Sequence, residues 1–600
     1  MGEYNAPLKD MRFVLNHVIG LDELSNIEAF EHAESDVVDA VLEEASKLAT
    51  NVLSPLNKSG DLAGTSVSDG VVTSPDGWND AYKQFAAGGW NGVSGPMDYD
   101  GGGMPQAVTL ATVEMWNSAN MAFALCPLLT QGAIESLIAH GTDEQKEKYL
   151  QKLVTGEWTA TMNLTENHAG SDVGALRTKA EPAEDGSWRI KGQKIFITYG
   201  EHEMTDNIIH LVLARTPGSP AGTKGISLFI VPKYLVNDDG SLGKRNDLKC
   251  VSVEEKIGIH ASPTCVMSYG DNDECVGYLI GGENKGMACM FTMMNNARLN
   301  VGLQGLAIAE RAYQQSVEYA LDRKQGRAMD TPKGESAAIV KHADVRRNLM
   351  TMRSQIEAMR CLVYLNGAAL DIGHNHADEE ERKKAMGLAE LLTPLSKAWC
   401  TDLGVELSST AVQIHGGMGF IEETGVGQYY RDARILPIYE GTNGIQALDL
   451  VGRKLAMQGG EPVRNLLQEM EDLSHEMNSS DDTDLQCISR HLGVAVTALK
   501  DATEWMYSNA SNDPNSAPAG ATPYLRMFAT TVGGYLMAKS AVKAKSLLSA
   551  ADADKPFLSA KVATSRYFAA QILPQVAALL GPVTEGPELL YAIDEENLVA

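Results

Sequence analysis

The sequence predicts a mainly helical protein with one β domain set inside it, in the order helical, β, helical bundle, helical extension. Three observations lead there. Apolar residues recur at the helical period up to about residue 158 and again from about 283. Between 159 and 282 the texture changes to short β-branched and aromatic runs separated by turns. Beyond the glycine-rich break "MQGGEPV" a further helical stretch runs from 461 to 600. A chain of 600 residues exceeds one core, so the reading divides it at 1–158, 159–282, 283–460 and 461–600.

In the first segment Ile27, Phe30, Val38, Leu42, Ala45 and Leu48 share one helical stripe, which predicts a helix over about 24–55. After the interruption "DYDGGGMPQA", the stretch "TDEQKEKYLQKLVTGEW" reads as a helix stopped at Thr155-Gly156. In the second segment "WRIKGQKIFITYG", "NIIHLVLARTPG", "GISLFIVPKYLV" and "TCVMSYG" read as strands divided by turn clusters. In the third, Leu299, Leu303, Leu306, Ala309 and Ala312 form one stripe, and residues 343–372 carry Leu349, Met352, Ile356, Met359, Leu362 and Leu365 on another. With 381–413 and the segment after Gly444 they predict an antiparallel bundle. The last segment is divided by "NSSDDTD" and by the loop "NASNDPNSAPAGATP"; it holds no catalytic motif and reads as cover, dimer contact or tail domain.

Composition limits the partners. Asp plus Glu outnumber Lys plus Arg by 78 to 50, a net charge of −28 that argues against broad affinity for nucleic acid or an anionic membrane. The eight cysteines form no Cys-x-x-Cys pair and read as buried free thiols of a reducing compartment. The start lacks a signal-peptide core and no uncharged apolar run of 18 residues reads as a membrane span, so the expectation is a cytoplasmic protein. No Gly-x-Gly-x-x-Gly, Walker or His-Glu-x-x-His pattern is present, and His374 and His376 read as a solvated helix end rather than a metal site.

Three polar stretches remain for chemistry, at 163–180, 190–200 and 411–444. Their glycines and short hydroxylated side chains let a planar or phosphorylated ligand approach the backbone. In the first, Thr165 and Ser171 are hydrogen-bonding candidates, while Asp172 can equally cap a helix from Val173. In the second, Lys191 and Lys194 are expected to face water, and Phe196 and Thr198 share strand parity. In the third, Gly416 and Gly417 permit close approach, and Arg431 and Arg434 can pair with local carboxylates. The stretch "ARILPIYEGTNGIQ" ends an apolar run on Glu440. On the residues alone this is either a glutamate solvated at a surface turn or a carboxylate held in a partly buried pocket as a proton acceptor.

Seven segments in order, "TENHAGSDVGALRTKA", "GQKIFIT", "EEKIGIHASPTC", "NNARLNVGLQGLA", "DRKQGR", "VQIHGGMGF" and "RDARILPIYEGTNGIQ", resemble the acyl-CoA dehydrogenase family over about residues 30–455. The lead segment and the tail resemble its subgroup of about 600 residues. The resemblance implies an acyl-CoA dehydrogenase-like fold with a helical domain, a β domain and a four-helix domain, and one noncovalent FAD per subunit. It implies Glu440 as the base. A family variant draws its base from the position before the arginine of "NNARLN", which here is Ala297 and accepts no proton. Cofactor contacts carry over to Thr165, Phe196 and Thr198 around the flavin, Arg323 at the FAD pyrophosphate of a partner subunit, Gln413, Gly416 and Gly417 near the adenine half, and Thr442 beside the base. Ser171, Arg298 and Gly441 carry over to the substrate side. Two departures stand out: Asn167-His168 replaces the common Pro-Gly, leaving His168 as a solvent-side change or a contact to CoA phosphates, and Phe196 replaces the frequent tryptophan.

The implied reaction is α,β-dehydrogenation of an acyl-CoA thioester to a trans-2-enoyl-CoA, with electrons passed to an electron-transfer flavoprotein. Short or medium chains are expected, 3-methylthiopropionyl-CoA included, and a long-chain pocket or a flavin oxidase of the same fold are the alternatives. A flavin-free acyl-CoA binding protein is the nonenzymatic rival. The implied assembly is a homodimer.

Overall fold

The structure, a computed structural model, describes residues 3–509 and 513–599. The chain divides into two compact units: residues 1–43, 105–114 and 301–600 form the first, and 44–104 and 115–300 the second.

The second unit holds twelve strands: β1 (Ser66–Ser68), β2 (Val71–Thr73), β3 (Thr159–Asn163), β4 (Lys179–Pro182), β5 (Trp188–Thr198), β6 (Ile208–Ala214), β7 (Ser227–Pro232), β8 (Tyr234–Val236), β9 (Leu242–Arg245), β10 (Leu248–Val253), β11 (Thr264–Tyr269) and β12 (Val276–Ile280). Eight form one sheet in the order β10-β11-β5-β12-β7-β6-β3, with β4 added beside β5. The β3–β6 pair is parallel and the rest are antiparallel. Strands β3, β6 and β7 are buried along their whole length; β6 and β7 are sheet-interior strands rich in Ile, Leu and Val, and β3, at the end of the order, is Thr-Ala-Thr-Met-Asn. One apolar core lies on the side of Leu211, Leu213, Leu228 and Ile230, packed with Leu150, Trp158 and Met293. A second lies on the alternate residues Val212, Ala214, Phe229 and Val231, with Ile190 and Tyr269. The period of two that moves successive side chains to opposite faces produces both.

The first unit is helical. Helices Ala343–Asn375 and Glu379–His415 pair lengthwise, and Ser516–Leu547 packs on both and on Asn443–Asp449. At the helix Gly286–Asp322, the backbones meet the helix Glu379–His415 through glycine: a Cβ on Gly305 would sit 2.1 Å from the Cys400 carbonyl oxygen, and one on Gly302 2.5 Å from that of Ser396. The C-terminal segment belongs to this unit through buried charge. Arg360 meets Glu114 at 2.6 Å, Glu310 at 2.9 Å and Asp10, and Lys561 meets Asp10 at 2.7 Å and Glu357 at 3.0 Å. The extension is therefore fastened to the bundle rather than appended to it.

The helix expected over 24–55 begins at Ser35, because residues 26–34 are taken up by a 3-10 turn at Glu28–Phe30 and a bend; its later end continues as a π-turn at Ala49–Leu53 and a helix Ser54–Ala63. The expected stop at Thr155-Gly156 is found, with Gly156 at φ +77. The loop expected over 509–523 is shorter, since a helix starts at Ser516 and carries Pro523 inside it; positions 510–512 of that expectation lie outside the described residues. Strands β3, β4, β9, β10 and β12 and the β1–β2 hairpin were not legible as separate runs. All eight cysteines are unbridged thiols, seven of them buried. Among the described residues two stretches, Gln106–His140 and Lys555–Thr584, are long and apolar enough by length and composition to cross a membrane; 83% of the first's apolar window is buried within the protein, as in a core helix, and 33% of the second's.

Candidate active site

Glu440 and Gly441 are consecutive residues in the left-handed region, at φ +55 and +82. For glutamate this costs about 1–2 kcal/mol, so neighbouring contacts must hold it. Asn443 supplies them. Its side-chain amide donates to the Ala398 carbonyl at 3.1 Å, Thr401 Oγ1 at 3.0 Å and Asp402 Oδ1 at 2.7 Å, and its oxygen accepts from Lys397 Nζ at 2.9 Å. The Asn443 backbone N–H closes the turn on Pro437 O at 3.0 Å. Thr442 Oγ1 accepts from the Ile445 N–H at 3.3 Å and so caps the helix Asn443–Asp449. Gln446 Nε2 reaches the Glu440 and Gly441 carbonyls, both at 3.4 Å, and the Tyr439 hydroxyl donates to Gln304 Oε1. Glu440 is half-buried at the end of this clamped turn.

On the same unit, Arg323 is exposed at the end of Gly286–Asp322 and Gln413 is exposed on the last turn of Glu379–His415. The two helix ends are joined by stacking of Tyr319 on His415, with ring centroids 4.4 Å apart. Gly416, at φ +59, and Gly417 are exposed, and a Cβ on either would meet nothing within 4 Å. No packing within the chain requires glycine at 417, which suits a surface approached closely by a ligand.

On the second unit, Thr165 follows β3 and its carbonyl accepts the Ile195 N–H at 2.9 Å, which brings it beside the end of β5. There the ladder is irregular: Cys265 pairs with Ile197 but Met267 with Lys194, so two residues of β5, Ile195 and Phe196, oppose one of β11. Phe196 takes φ +59 in this bulge and is 59% exposed, unusual on both counts for a large apolar residue. Thr198 is half-buried and its carbonyl accepts from the Thr161 hydroxyl at 2.7 Å. An exposed aromatic beside two threonines fits a planar ring, so this unit's residues suit the flavin end of FAD. Ser171 is exposed, Asp172 makes no capping bond, and only a 3-10 turn follows at Val173–Ala175. Arg298 is buried with its guanidinium 5.9 Å from the Phe291 ring.

One expectation is corrected. Lys191 is exposed and pairs with Asp273, but Lys194 is fully buried and bonds Glu166 Oε1 and the Leu164 carbonyl, each at 2.9 Å. Lys191 and Lys194 are three apart and so take opposite faces of a strand, and regular alternation sets Lys194 on the face of the buried Ile190. Burial lowers Lys194 to about 8 against the pull of Glu166. Burial would raise Glu166, but the Lys194 ammonium, the Thr178 hydroxyl and the Arg177 N–H outweigh it and hold the carboxyl at about 2. Sequence reasoning also passed over Asn443; its place two residues beyond the Glu440-Gly441 pair was the available signal.

Four family models match the chain: "Acyl-CoA dehydrogenase, N-terminal domain" over residues 39–157, the middle domain over 161–271, the C-terminal domain over 284–456, and "Acetyl-CoA dehydrogenase C-terminal like" over 466–594. A 3-methylmercaptopropionyl-CoA dehydrogenase of Ruegeria pomeroyi is 45% identical over 590 residues, covering 98% of this chain and 99% of its own. The chain belongs to the acyl-CoA dehydrogenase family. A butyryl-CoA dehydrogenase of Syntrophomonas wolfei is 35% identical over 594 residues, covering 96% of each. The crystal structure of Caenorhabditis elegans ACDH-11 in complex with C11-CoA shares the fold, with a TM-score of 0.78 at 18% identity over 99% of this chain and 97% of that one. This acyl-CoA dehydrogenase is an FAD-dependent enzyme that forms trans-2-enoyl-CoA, as its motifs led one to expect.

Proposed function

We propose that Glu440 is the base that takes the α-proton of the acyl-CoA. The observation that carries this is a glutamate held at φ +55, half-buried, on a turn fastened to the helix at Lys397–Asp402 by one asparagine. Strain at a residue so firmly held is what a positioned catalytic group shows. The Glu440 N–H and carboxylate lie on one residue, so a thioester oxygen bound by the first is stabilised as charge develops while the second accepts the proton. FAD, when bound, supplies the acceptor for the β-hydrogen. Thr165, Phe196 and Thr198 bind the flavin, Thr442 adjoins it, Arg323, Gln413, Gly416 and Gly417 bind its pyrophosphate and adenine half, and Ser171, Arg298 and Gly441 serve the substrate. The segments divide at 158, 282 and 460.

The favoured substrate is a short or medium acyl-CoA, 3-methylthiopropionyl-CoA first, on the strength of the 45% identical relative, and the acceptor an electron-transfer flavoprotein in the cytoplasm. The enzyme is a homodimer. Leu321, Met418, Phe420 and Ile421, close in sequence to Arg323 and the glycine pair, are exposed, and such apolar side chains suit burial against a second copy. Light scattering at a mass near one 64.6 kDa subunit would refute the dimer. Glu440→Gln keeps the volume and removes the base: FAD content persists while flavin reduction falls at least about 100-fold. Rapid bleaching of a fully flavinated variant would move the base elsewhere.

A further inference from the structure

Lys194 and Glu166 form a further buried ion pair, and the side-chain hydrogen bonds they make fall on one loop. Lys194 stands on β5 immediately before the bulge; its ammonium holds the Leu164 carbonyl and Glu166 Oε1. One residue on, the Ile195 N–H holds the Thr165 carbonyl. Glu166 then ties the loop's far end, accepting from the Arg177 N–H at 2.7 Å, the Thr178 N–H at 3.0 Å and the Thr178 hydroxyl at 2.6 Å. Between these ties Glu166 and Ala169 exchange both backbone hydrogen bonds at 3.0 Å, a tight turn. His168 Nε2 at its tip lies 3.1 Å from the Ala175 carbonyl and 3.7 Å from Glu166 Oε2. Gly192 makes room for the arrangement, since a Cβ there would stand 2.5 Å from the Thr178 hydroxyl.

We infer that Lys194 and Glu166 are positioning residues of the dehydrogenation: the pair locks the Thr165 loop to the bulged strand and so sets Thr165, Phe196 and Thr198 against the flavin. The inference rests on the assignment of those three residues to the flavin. A buried ion pair is a weak device for stability alone, because apolar residues of similar volume commonly replace one without loss. What apolar residues cannot reproduce is the direction of the five side-chain bonds that Lys194 and Glu166 make to one another and to residues 164, 177 and 178. Lys194 touches no reacting atom in this scheme, so its effect passes through Thr165 and Phe196.

The test compares four holoenzyme variants with wild type by flavin content, the visible absorption and circular dichroism of the bound flavin, and anaerobic reduction by butyryl-CoA. Lys194→Met and Glu166→Gln should keep subunit mass and far-ultraviolet dichroism but displace the visible flavin bands. Their reduction rate at saturating substrate should fall at least tenfold while KM changes less than threefold. The paired substitution Lys194→Met/Glu166→Leu should keep a near-native Tm and the same displaced bands, a split that a purely structural role would not give. If Lys194→Met fails to fold, Glu166→Gln, which keeps the shape and the Thr178 contacts, decides by the same readouts. Thr165→Val should displace the bands as Lys194→Met does. Native bands and rate in Glu166→Gln or in the paired variant, with altered bands in Thr165→Val, overturn the inference alone. Native behaviour in Thr165→Val as well overturns the flavin assignment and the inference together.

Discussion

Gly305→Ala tests whether the base is placed by backbone contact between two helices. The added Cβ would lie 2.1 Å from the Cys400 carbonyl oxygen, 2.4 Å from its carbon and 2.8 Å from the Thr401 nitrogen, all backbone atoms with no rotamer to turn aside. Ordinary contact begins near 3.4 Å, so the helices must part by about 1.3 Å at this level. Residues 397–402, the segment that moves, are those that grip Asn443 and through it the Glu440 turn. Overpacking of this kind costs about 1–3 kcal/mol, and a displacement of about 1 Å at a reacting group costs about 100-fold in rate. Urea unfolding followed by flavin absorbance, and stopped-flow reduction by a saturating acyl-CoA, read the two effects separately. Gly452→Ala on the same unit, where a Cβ meets nothing within 4 Å, should be near neutral in both. A Gly305→Ala enzyme that unfolds and turns over like wild type would refute the argument that this contact sets the base.

Three further outcomes follow from the same reasoning. Asn443→Ala should retain FAD yet lose about 1–3 kcal/mol in urea unfolding, because several buried polar partners lose their common contact, with reduction slowed at least tenfold. Arg360→Met removes the cation shared by Glu114, Glu310 and Asp10 and should cost about 3–5 kcal/mol in the same assay, with the visible flavin spectrum of the surviving folded enzyme unchanged. Glu166 is held at about 2 against an ordinary 4.5, so its folded form keeps the negative charge that the unfolded chain gives up on acidification. Its contribution is therefore complete above pH 4.5 and is lost as pH falls toward 2, at most about 3 kcal/mol. Glu166→Gln should flatten acid unfolding by one proton in that window, and equal slopes in the two proteins would remove the carboxylate from the acid-labile set.

The architecture was legible wherever one period ran long enough to be unambiguous. The stripes from Leu299 to Ala312 and from Leu349 to Leu365 predicted helices found at Gly286–Asp322 and Ala343–Asn375, and Thr155-Gly156 marked a real stop. Short strands escaped because their residues are chosen by neighbours rather than by period: β4 buries only Ala180 of its four positions, and β9 pairs only with β8. Pro523 pointed to a loop, yet it is the eighth residue of Ser516–Leu547, inside the helix, which forgoes one backbone bond there while its flanks Ala521, Tyr524 and Leu525 are buried.

The site was legible as residue types and illegible as conformation. "YEGTNG" marked Glu440, but nothing in those letters says that glutamate takes the left-handed conformation normally left to glycine, or that Asn443 holds it there through the carbonyl of Ala398 and the side chains of Lys397, Thr401 and Asp402, more than forty residues earlier in the chain. Lys194 shows the same limit from the other side. Its charge reads as solvated, although period two from Ile190 puts it on the opposite face from Lys191. What the letters do not show is Glu166, the partner that lets a lysine stand inward, or the extra residue in the ladder beyond it, which turns Phe196 outward into solvent. A bulge is specified by the partner strand as much as by its own, so no reading of β5 alone could place it. That outward turn leaves an aromatic face free for a flavin, with a charge buried on the strand beside it, and it makes the Lys194 and Thr165 variants the most direct measure of whether the strand was shaped for the cofactor.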